Sequence, residues 1–452
     1  MKVSSPTNSQ LIPSPETTRF FIAYDAGRNI FLTGPGGVGK TFLIEEANRR
    51  SVVEVSLTAS TGVAALNLGG STVHRWCGMM LGPKPGQSNE SYFKDLLIDK
   101  RFGVRAGFNR IRQCSILVID EVSMLPGNTF EFVEFLCRKI RGNDRPFGGI
   151  QVIVTGDFLQ LPPVRKNPNA PYDWAFLTPA WRRAGFECIH LTKIHRQTDR
   201  EFIEALSAFR FGDVRGRNAE LLHSRVHNFP NGNLTRLYTH NAQVDRWNEY
   251  KLGELPPDEP QVFNAVLHGP ESQRQFLIQN LVTPQILRLK VGARVMFTVN
   301  RPDEGYVNGQ CGTVAGYSTT SRKVWNPHER EYEEEHMTCI SVNVEGGTVD
   351  VIPFTWQFDP KDSGSATFTQ FPLRLSYAMT IHKSQGLTLD SAYIDVRAAR
   401  EPGQAYVALS RVRTLQGLHL KDWFTGVVVS RAARKFYEDL AGGVLAREAV
   451  PA

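Results

Sequence analysis

The sequence predicts an α/β chain made of two parallel-sheet units, the second interrupted by a β-rich insertion. Three observations carry this. From Asn29 to Leu191 short apolar runs alternate with helical stretches, the pattern of a parallel sheet covered on both faces. The same alternation returns over residues 234–252 and again from Phe371. Between them, residues 253–370 read as β-rich runs broken by Gly, Pro and Asn.

Taken in order, residues 1–18 are polar and proline-containing (Pro6, Pro13, Pro15) and are expected as an untethered tail. Ile30 to Leu32 is a buried-strand run, and Thr41 to Arg50 reads as helix. Val52 to Leu57, Ile116 to Ile119 and Ile150 to Thr155 are strand-like. In the second unit, Leu234 to Thr239 is a strand and Ala242 to Leu252 a helix. Ala392 to Val396 is a strand, Gly403 to Arg413 a helix and Leu418 to Leu420 a strand. The insertion's β-rich runs are Val291 to Val299, Cys311 to Ala315, Cys339 to Val344 and Thr348 to Phe354, expected as a small antiparallel barrel. The charged run His328 to His336 is expected as a solvated loop, and no repeat recurs at a fixed period.

The chain has 452 residues, room for about three domains at roughly 150 residues each. With 41% hydrophobic and 21% charged residues, a wholly disordered or collagen-like chain is excluded. No apolar run approaches the roughly 18 residues that span a bilayer. The opening MKVSSPTNSQ has neither a secretory apolar stretch nor the arginines of a transit peptide. Six scattered cysteines without CxxC speak against a zinc site or disulfide framework and for a reducing, intracellular compartment. The net charge of +7 suits a polyanionic partner, although many basic proteins bind no nucleic acid.

The most specific chemistry is Gly34-Pro-Gly36-Gly37-Val38-Gly39-Lys40-Thr41, a complete GxxxxGK[ST] phosphate loop between strand and helix. Its glycines let backbone N–H groups turn toward a phosphate, and the helix N-terminus adds positive potential. Lys40 can reach the β- and γ-phosphates and Thr41 can ligate Mg2+. Asp120 and Glu121 end the apolar run Ile116 to Ile119, at the strand edge where open α/β sheets place their ligands. Asp120 is expected to hold Mg2+, and Glu121 to orient and deprotonate the attacking water. Gln160 is a candidate reporter of the γ-phosphate, and Arg196 and Arg411 are candidate arginine fingers. Either arginine, read alone, is more often a surface ion-pair partner. Loop, acidic pair, glutamine and arginines together point to ATP held between two α/β domains.

At this point the motif set resembles the superfamily-one DNA helicases, and within them the Pif (petite integration frequency) family, relatives of the RecD-type enzymes. The motifs are TGPGGVGKT (33–41), LTASTGVAA (57–65), GGSTVHRW (69–76), LVIDEVSML (117–125), VTGDFLQLPPV (154–164), LTKIHRQ (191–197), TIHKSQG (380–386) and GQAYVALSRV (403–412). The stretch EFVEFLCRKIRGNDRPFGGIQ (131–151) resembles the family's own signature. The resemblance implies two RecA-like domains, ATP-driven 5′-to-3′ movement on single-stranded DNA, and a monomeric motor. First-domain residues 19–190 would carry a wedge insertion at about 77–101. The second domain would be residues 191–252 and 371–452, with the barrel at 253–370. The nucleotide set it implies is Gly34, Gly36, Gly37, Val38, Gly39, Lys40, Thr41, Gln160, Arg196, Gly386 and Arg411. The strand-gripping set it implies is Thr58, Ser60, Thr61, Thr72, His74, His382 and Lys383, although such Thr and Ser residues could equally cap helices. Trp76, Tyr92, Phe93, Phe297 and Tyr306 could stack on bases, but core packing is the favoured reading of each. The resemblance leaves forks, G-quadruplexes, displacement loops and RNA–DNA hybrids all open as substrates. One departure is plain: the family's adenine-reading glutamine has no counterpart in Pro15 to Phe20. A protein-remodelling ATPase without unwinding is the competing class. A passive single-strand-binding module is a third, disfavoured by the intact phosphate loop and acidic pair.

Overall fold

The computed structural model describes residues 14–448, apart from 81, 84–85, 100–101, 166, 168, 228–233, 257–258, 327–330, 359–363 and 424–426. The chain divides into two compact units. Unit 1 comprises Met1–Ser60, Thr72–Asp157 and Arg165–Lys193; unit 2 comprises Thr61–Ser71, Phe158–Val164 and Ile194–Ala452.

Unit 1 is built on β1 (Ile30–Thr33), β2 (Val55–Ala59), β3 (Ser71–Thr72), β4 (Ile116–Asp120), β5 (Gln151–Gly156) and β6 (Glu187–His190), in the sheet order β3-β2-β4-β5-β1-β6. The β2–β4, β4–β5, β5–β1 and β1–β6 pairs are parallel. β1 and β4 are buried along their whole length, as strands covered on both faces must be. The helix Gly127–Arg141 buries Phe130, Phe132, Val133, Leu136 and Cys137. Its Glu134 is fully buried and accepts from Arg138 at 2.8 Å and Arg183 at 2.7 Å.

The expected tail ends earlier than residue 18. A helix spans Pro15–Asp25, with Ser14 accepting from the N–H of Thr17 and Pro15 in its first turn. A proline is preorganised at that position and lacks only an N–H that the helix leaves unbonded anyway. Residues 1–13 lie outside the described residues.

The expected wedge region holds a helix, Asn89–Ile98, capped by Ser88. Tyr92 donates to the Met79 carbonyl and its ring meets Phe132, while Phe93 packs between Phe108 and Phe135. Both rings fasten the helix to the unit, and Trp76 is buried.

Unit 2 carries a second parallel sheet, β18-β7-β19-β20. β7 is Thr235–Tyr238, and the helix Asn241–Gly253 follows it. The insertion contributes β8 (Gln261–Asn264), β9 (Val266–His268), β10 (Ile286–Leu289), β11 (Arg294–Phe297), β12 (Cys311–Asn326), β13 (Glu331–Val344), β14 (Gly347–Val351), β15 (Phe354–Gln357), β16 (Thr367–Gln370) and β17 (Leu373–Leu375). β18 (Ala378–Thr380), β19 (Ala392–Ile394) and β20 (Leu418–Leu420) then complete the parallel sheet. The insertion's strands form three antiparallel sheets, β10-β8, β14-β13-β12-β11-β17 and β15-β16-β9. Leu289, Val295, Phe297, Tyr306, Ile340 and Leu373 form the core of the five-stranded one. Phe297 and Tyr306 stack there at 4.3 Å, so both serve packing.

Residues 331–336, expected in a loop, continue β13 instead, Glu331 pairing with Asn326 and His336 with Ser321. Four of these six residues are glutamates with no apolar/polar alternation, so periodicity alone does not reveal the strand. The helix expected over Gly403 to Arg413 is confined to Gln404–Leu409. Among the described residues, no helix is long and apolar enough to cross a membrane.

Candidate active site

β1 delivers the phosphate loop. Gly34, Gly37 and Gly39 all have positive φ (145°, 83° and 84°), a region only glycine enters without strain. A Cβ on Gly34 would lie 2.4 Å from the Leu191 carbonyl oxygen, so no other residue fits there. The helix Lys40–Arg50 starts at Gly39 without a side-chain cap, which leaves its first turn available to an anion. Lys40 Nζ donates to the carbonyls of Gly34 and Pro35, at 2.8 and 3.0 Å. The ammonium is thus held over the loop by two neutral acceptors, which a phosphate oxygen can replace.

β4 delivers the acids. Asp120 Oδ1 accepts from the Glu121 N–H at 2.8 Å and the Thr155 hydroxyl at 3.1 Å. Asp120 is buried, and burial raises its carboxyl above the ordinary aspartate range despite those bonds and the nearby Lys40 charge. A carboxylate desolvated in this way would be favoured in its charged form by a nearby cation. Glu121 sits in the left-handed region (φ 51°, ψ 44°), uncommon for a residue with a Cβ and a mark of functional sites. The Ser60 hydroxyl pins it by donating to the Glu121 carbonyl at 2.7 Å, and the Ser60 N–H bonds the Asp120 carbonyl at 3.1 Å. Thr155 and this role of Ser60 escaped the sequence reading; the one available signal was that Thr155 ends the apolar run of β5.

Unit 2 gathers the remaining candidates. Gln160 lies in Phe158–Val164, which packs in unit 2. Gly403, at φ 70°, approaches so closely that a Cβ would lie 2.4 Å from the Leu159 and Gln160 carbonyl oxygens. Arg196 donates to the Thr388 hydroxyl at 3.0 Å and to the carbonyls of Ser410 and Gly386 at 3.3 Å each. Arg411 is buried, with Nε on the Val407 carbonyl at 2.8 Å and Nη2 on the Ser410 hydroxyl at 3.0 Å. Both arginines and Gly386 therefore converge around Ser410.

The strand-gripping candidates divide. Thr58 is fully buried and donates to the Val118 carbonyl at 2.6 Å; it ties β2 to β4 and presents no surface to a phosphate. Thr61 and Thr72 cap the helices Gly62–Asn67 and Val73–Cys77, accepting from the N–H groups of Ala64 and Arg75. His74 is half-buried, and burial lowers its imidazole pKa. His382 is exposed and Lys383 half-buried in the turn after β18. All six cysteines are free, and no metal-binding cluster of His, Cys, Asp or Glu occurs among the described residues.

Comparisons agree with this geometry. The family model for PIF1-like helicases matches residues 20–219. The ATP-dependent DNA helicase Pif1 of Bdellovibrio bacteriovorus is 36% identical over 95% of this chain and 92% of its own length. A Bacteroides sp. Pif1 in complex with ADP-AlF4 has a TM-score of 0.78 at 30% identity, covering 96% of this chain and 98% of that one. A Bacteroides Pif1 bound to ssDNA has a TM-score of 0.64 at the same 30% identity and coverage. These likenesses bear out two RecA-like domains as the fold class, and they agree with a loop that can carry a nucleoside triphosphate and an acidic pair that can use it. The chain belongs to the PIF1-like helicase family and is an ATP-hydrolysing DNA helicase.

Proposed function

We propose that this helicase moves 5′-to-3′ along single-stranded DNA and unwinds duplex or structured DNA, working at single-strand/double-strand junctions. Forks, G-quadruplexes and RNA–DNA hybrids are candidate substrates. The observation that carries the reading is the phosphate loop and the strained, pinned Glu121 on one sheet edge, in a chain similar to a Pif1 bound to ssDNA. The domain assignment goes with it: RecA-like domains at 19–190 and at 191–252 with 371–452, a wedge near 77–101, a small β-barrel at 253–370, and a monomeric, intracellular motor.

The residues divide the work as follows. Lys40, the loop N–H groups and the open helix end bind the triphosphate. Mg2+ fits at Thr41 and Asp120, the desolvated carboxylate, where it would screen phosphate charge. Glu121 takes the proton of the attacking water, its backbone fixed by Ser60. Gln160, Arg196 and Arg411 serve the γ-phosphate and its developing charge. Separating base pairs costs about 1.4 kcal/mol per step, and stacking a freed base returns about 1–3 kcal/mol. Binding alone can therefore trap frayed bases but gives no direction; direction needs a hydrolysis cycle. The grip on the strand uses phosphates, so that movement is independent of sequence.

Strand displacement on 5′-tailed and 3′-tailed duplexes, with ATPase read in parallel, tests this. Displacement with the 5′ tail alone is expected. Displacement with the 3′ tail alone overturns the polarity. ATPase without displacement on either favours remodelling. Lys40→Ala and Glu121→Gln are expected to abolish turnover, the latter with nucleotide binding retained.

A further inference from the structure

The C-terminal helix Arg431–Glu448 lies beyond the last sequence motif, which ends at Val412. Among residues 431–441, Ala433, Phe436, Tyr437 and Leu440 are its buried or half-buried positions, at the i, i+3, i+4, i+7 spacing of one helix face. Tyr437 Oη accepts from the Phe158 N–H at 3.2 Å, a buried bond between residues 279 positions apart. Phe436 meets the Phe158 ring edge-on at 5.5 Å, and the Arg210 guanidinium lies over the Tyr437 ring at 5.2 Å.

What this face holds is the segment that carries Gln160. Phe158, Leu159, Gln160 and Leu161 are all buried, yet they belong to no strand or helix, so no ladder of backbone bonds fixes them. A buried N–H still has to be paired, and at Phe158 the acceptor is a side chain of the C-terminal helix. The carbonyls of Leu159 and Gln160 close on Gly403, whose own N–H donates to the Val428 carbonyl at 3.1 Å, three residues before that helix. Gly403 also opens the helix Gln404–Leu409, which runs into Ser410 and Arg411. The chain from Val428 to Tyr437 therefore holds the Gln160 segment twice. One hold is direct, through the hydroxyl; the other runs through the glycine that starts the helix leading to Arg411.

We propose that Tyr437 is a positioning residue for ATP hydrolysis: its hydroxyl sets the backbone of Phe158 and, through it, the placement of Gln160 two residues on. The inference rests on the reading of Gln160 as the residue that serves the γ-phosphate. In that reading Gln160 acts on charge that develops during the reaction, so its misplacement slows the chemical step. Binding of the nucleotide is the work of Lys40 and the loop N–H groups. The expected signature is therefore a lower kcat at an unchanged KM for ATP.

The test is steady-state ATPase of the full chain at saturating single-stranded DNA. Tyr437→Phe deletes the hydroxyl and keeps the ring. Its kcat is expected to fall about fivefold, the rate equivalent of the roughly 1 kcal/mol that a neutral hydrogen bond contributes. Tyr377→Phe is the control for a purely structural loss: the Tyr377 hydroxyl likewise accepts a backbone N–H, that of Arg294, at 3.0 Å. It is expected to lower the thermal midpoint by a similar amount and to leave kcat within twofold of the parent. Gln160→Ala closes a double-mutant cycle: with Gln160 gone, Tyr437→Phe is expected to lower kcat no further. Phe436→Leu, which strips the ring edge from Phe158 and keeps the hydroxyl bond, carries the same cycle where Tyr437→Phe does not fold. A kcat within twofold of the parent in Tyr437→Phe overturns the proposal. So does an equal fall in Tyr377→Phe, a rise in KM for ATP in place of the fall in kcat, or the full further fall on top of Gln160→Ala. A parent-like kcat in Gln160→Ala instead overturns the reading of Gln160 on which the proposal rests.

Discussion

Removing one hydroxyl should slow hydrolysis without touching the phosphates. Ser60→Ala deletes the 2.7 Å bond to the Glu121 carbonyl but leaves the Ser60 N–H on Asp120. Glu121 then keeps the Met124 N–H on its carbonyl and its own N–H on Asp120 Oδ1. A left-handed residue with a Cβ sits about 1–2 kcal/mol above its relaxed conformation, and a neutral hydrogen bond of this kind contributes about 1 kcal/mol. The two are of one size, so losing the bond lets Glu121 leave its working conformation for much of the time. A loss of about 1 kcal/mol corresponds to roughly a fivefold drop in kcat. The assay is steady-state ATPase at saturating single-stranded DNA, with Glu121→Gln as the floor. A fivefold lower kcat with unchanged KM for ATP is expected, because Lys40 and Asp120 keep their partners. A kcat within twofold of the parent refutes the pinning argument. So does an effect confined to DNA affinity, which would make Ser60 a strand contact and nothing more.

Asp120→Asn should raise the thermal midpoint of the nucleotide-free protein while abolishing Mg2+-dependent turnover. Burial raises this carboxyl's pKa, so the group's contribution to stability is fully present at low pH and is lost as pH rises through its folded-state pKa; by the same sign, the Mg2+ concentration for half-maximal ATPase should climb on acidifying from neutral pH. Glu134→Ala strips the fully buried acceptor from Arg138 and Arg183 and should cost about 3 kcal/mol of stability in denaturant titration, the low end for a broken buried pair, since Arg183 keeps Glu131 at 2.8 Å. Gly403→Ala places a Cβ 2.4 Å from two backbone oxygens at φ 70° and should cost about 3 kcal/mol, overpacking plus left-handed strain, with ATPase falling alongside because the strained contact is with Gln160.

The backbone geometry of the phosphate loop was legible because its constraints are local. Glycines at 34, 37 and 39 answer a backbone demand within one turn of chain, and Asp120 and Glu121 end an apolar strand whose burial any reading would find. The hydroxyls were less legible, since capping a helix and gripping a phosphate require the same chemistry. Thr61 and Thr72 cap, Thr58 bridges two strands, and only the fold tells these apart. Prolines misled at the start: Pro15 opens a helix where a tail was expected.

The chain enters unit 2 from unit 1 at three places, each just after a strand of the unit 1 sheet. β2 ends at Ala59 and the chain enters unit 2 at Thr61; β5 ends at Gly156 and the chain enters it at Phe158; β6 ends at His190 and the chain enters it at Ile194. Each passage follows the carboxyl end of a parallel strand, the edge where such sheets bind ligands and where Lys40, Asp120 and Glu121 stand. The first passage begins at Ser60, whose hydroxyl holds Glu121. The second begins at Asp157 and leads within three residues to Gln160, whose segment is gripped by Gly403 and anchored where the Phe158 N–H bonds the Tyr437 hydroxyl at 3.2 Å. Ser60 is therefore one hydrogen bond from Glu121 and one peptide bond from unit 2, and Asp157 is one peptide bond from it. A shift at Ser60 or Asp157 is expected to be passed along the chain to the residue that follows it in unit 2. Lengthening either passage by a flexible residue pair, between Ser60 and Thr61 or between Asp157 and Phe158, should leave DNA-independent ATPase in place and reduce strand displacement per ATP. Displacement per ATP equal to the parent's in both insertions would show that the linkage runs by another path.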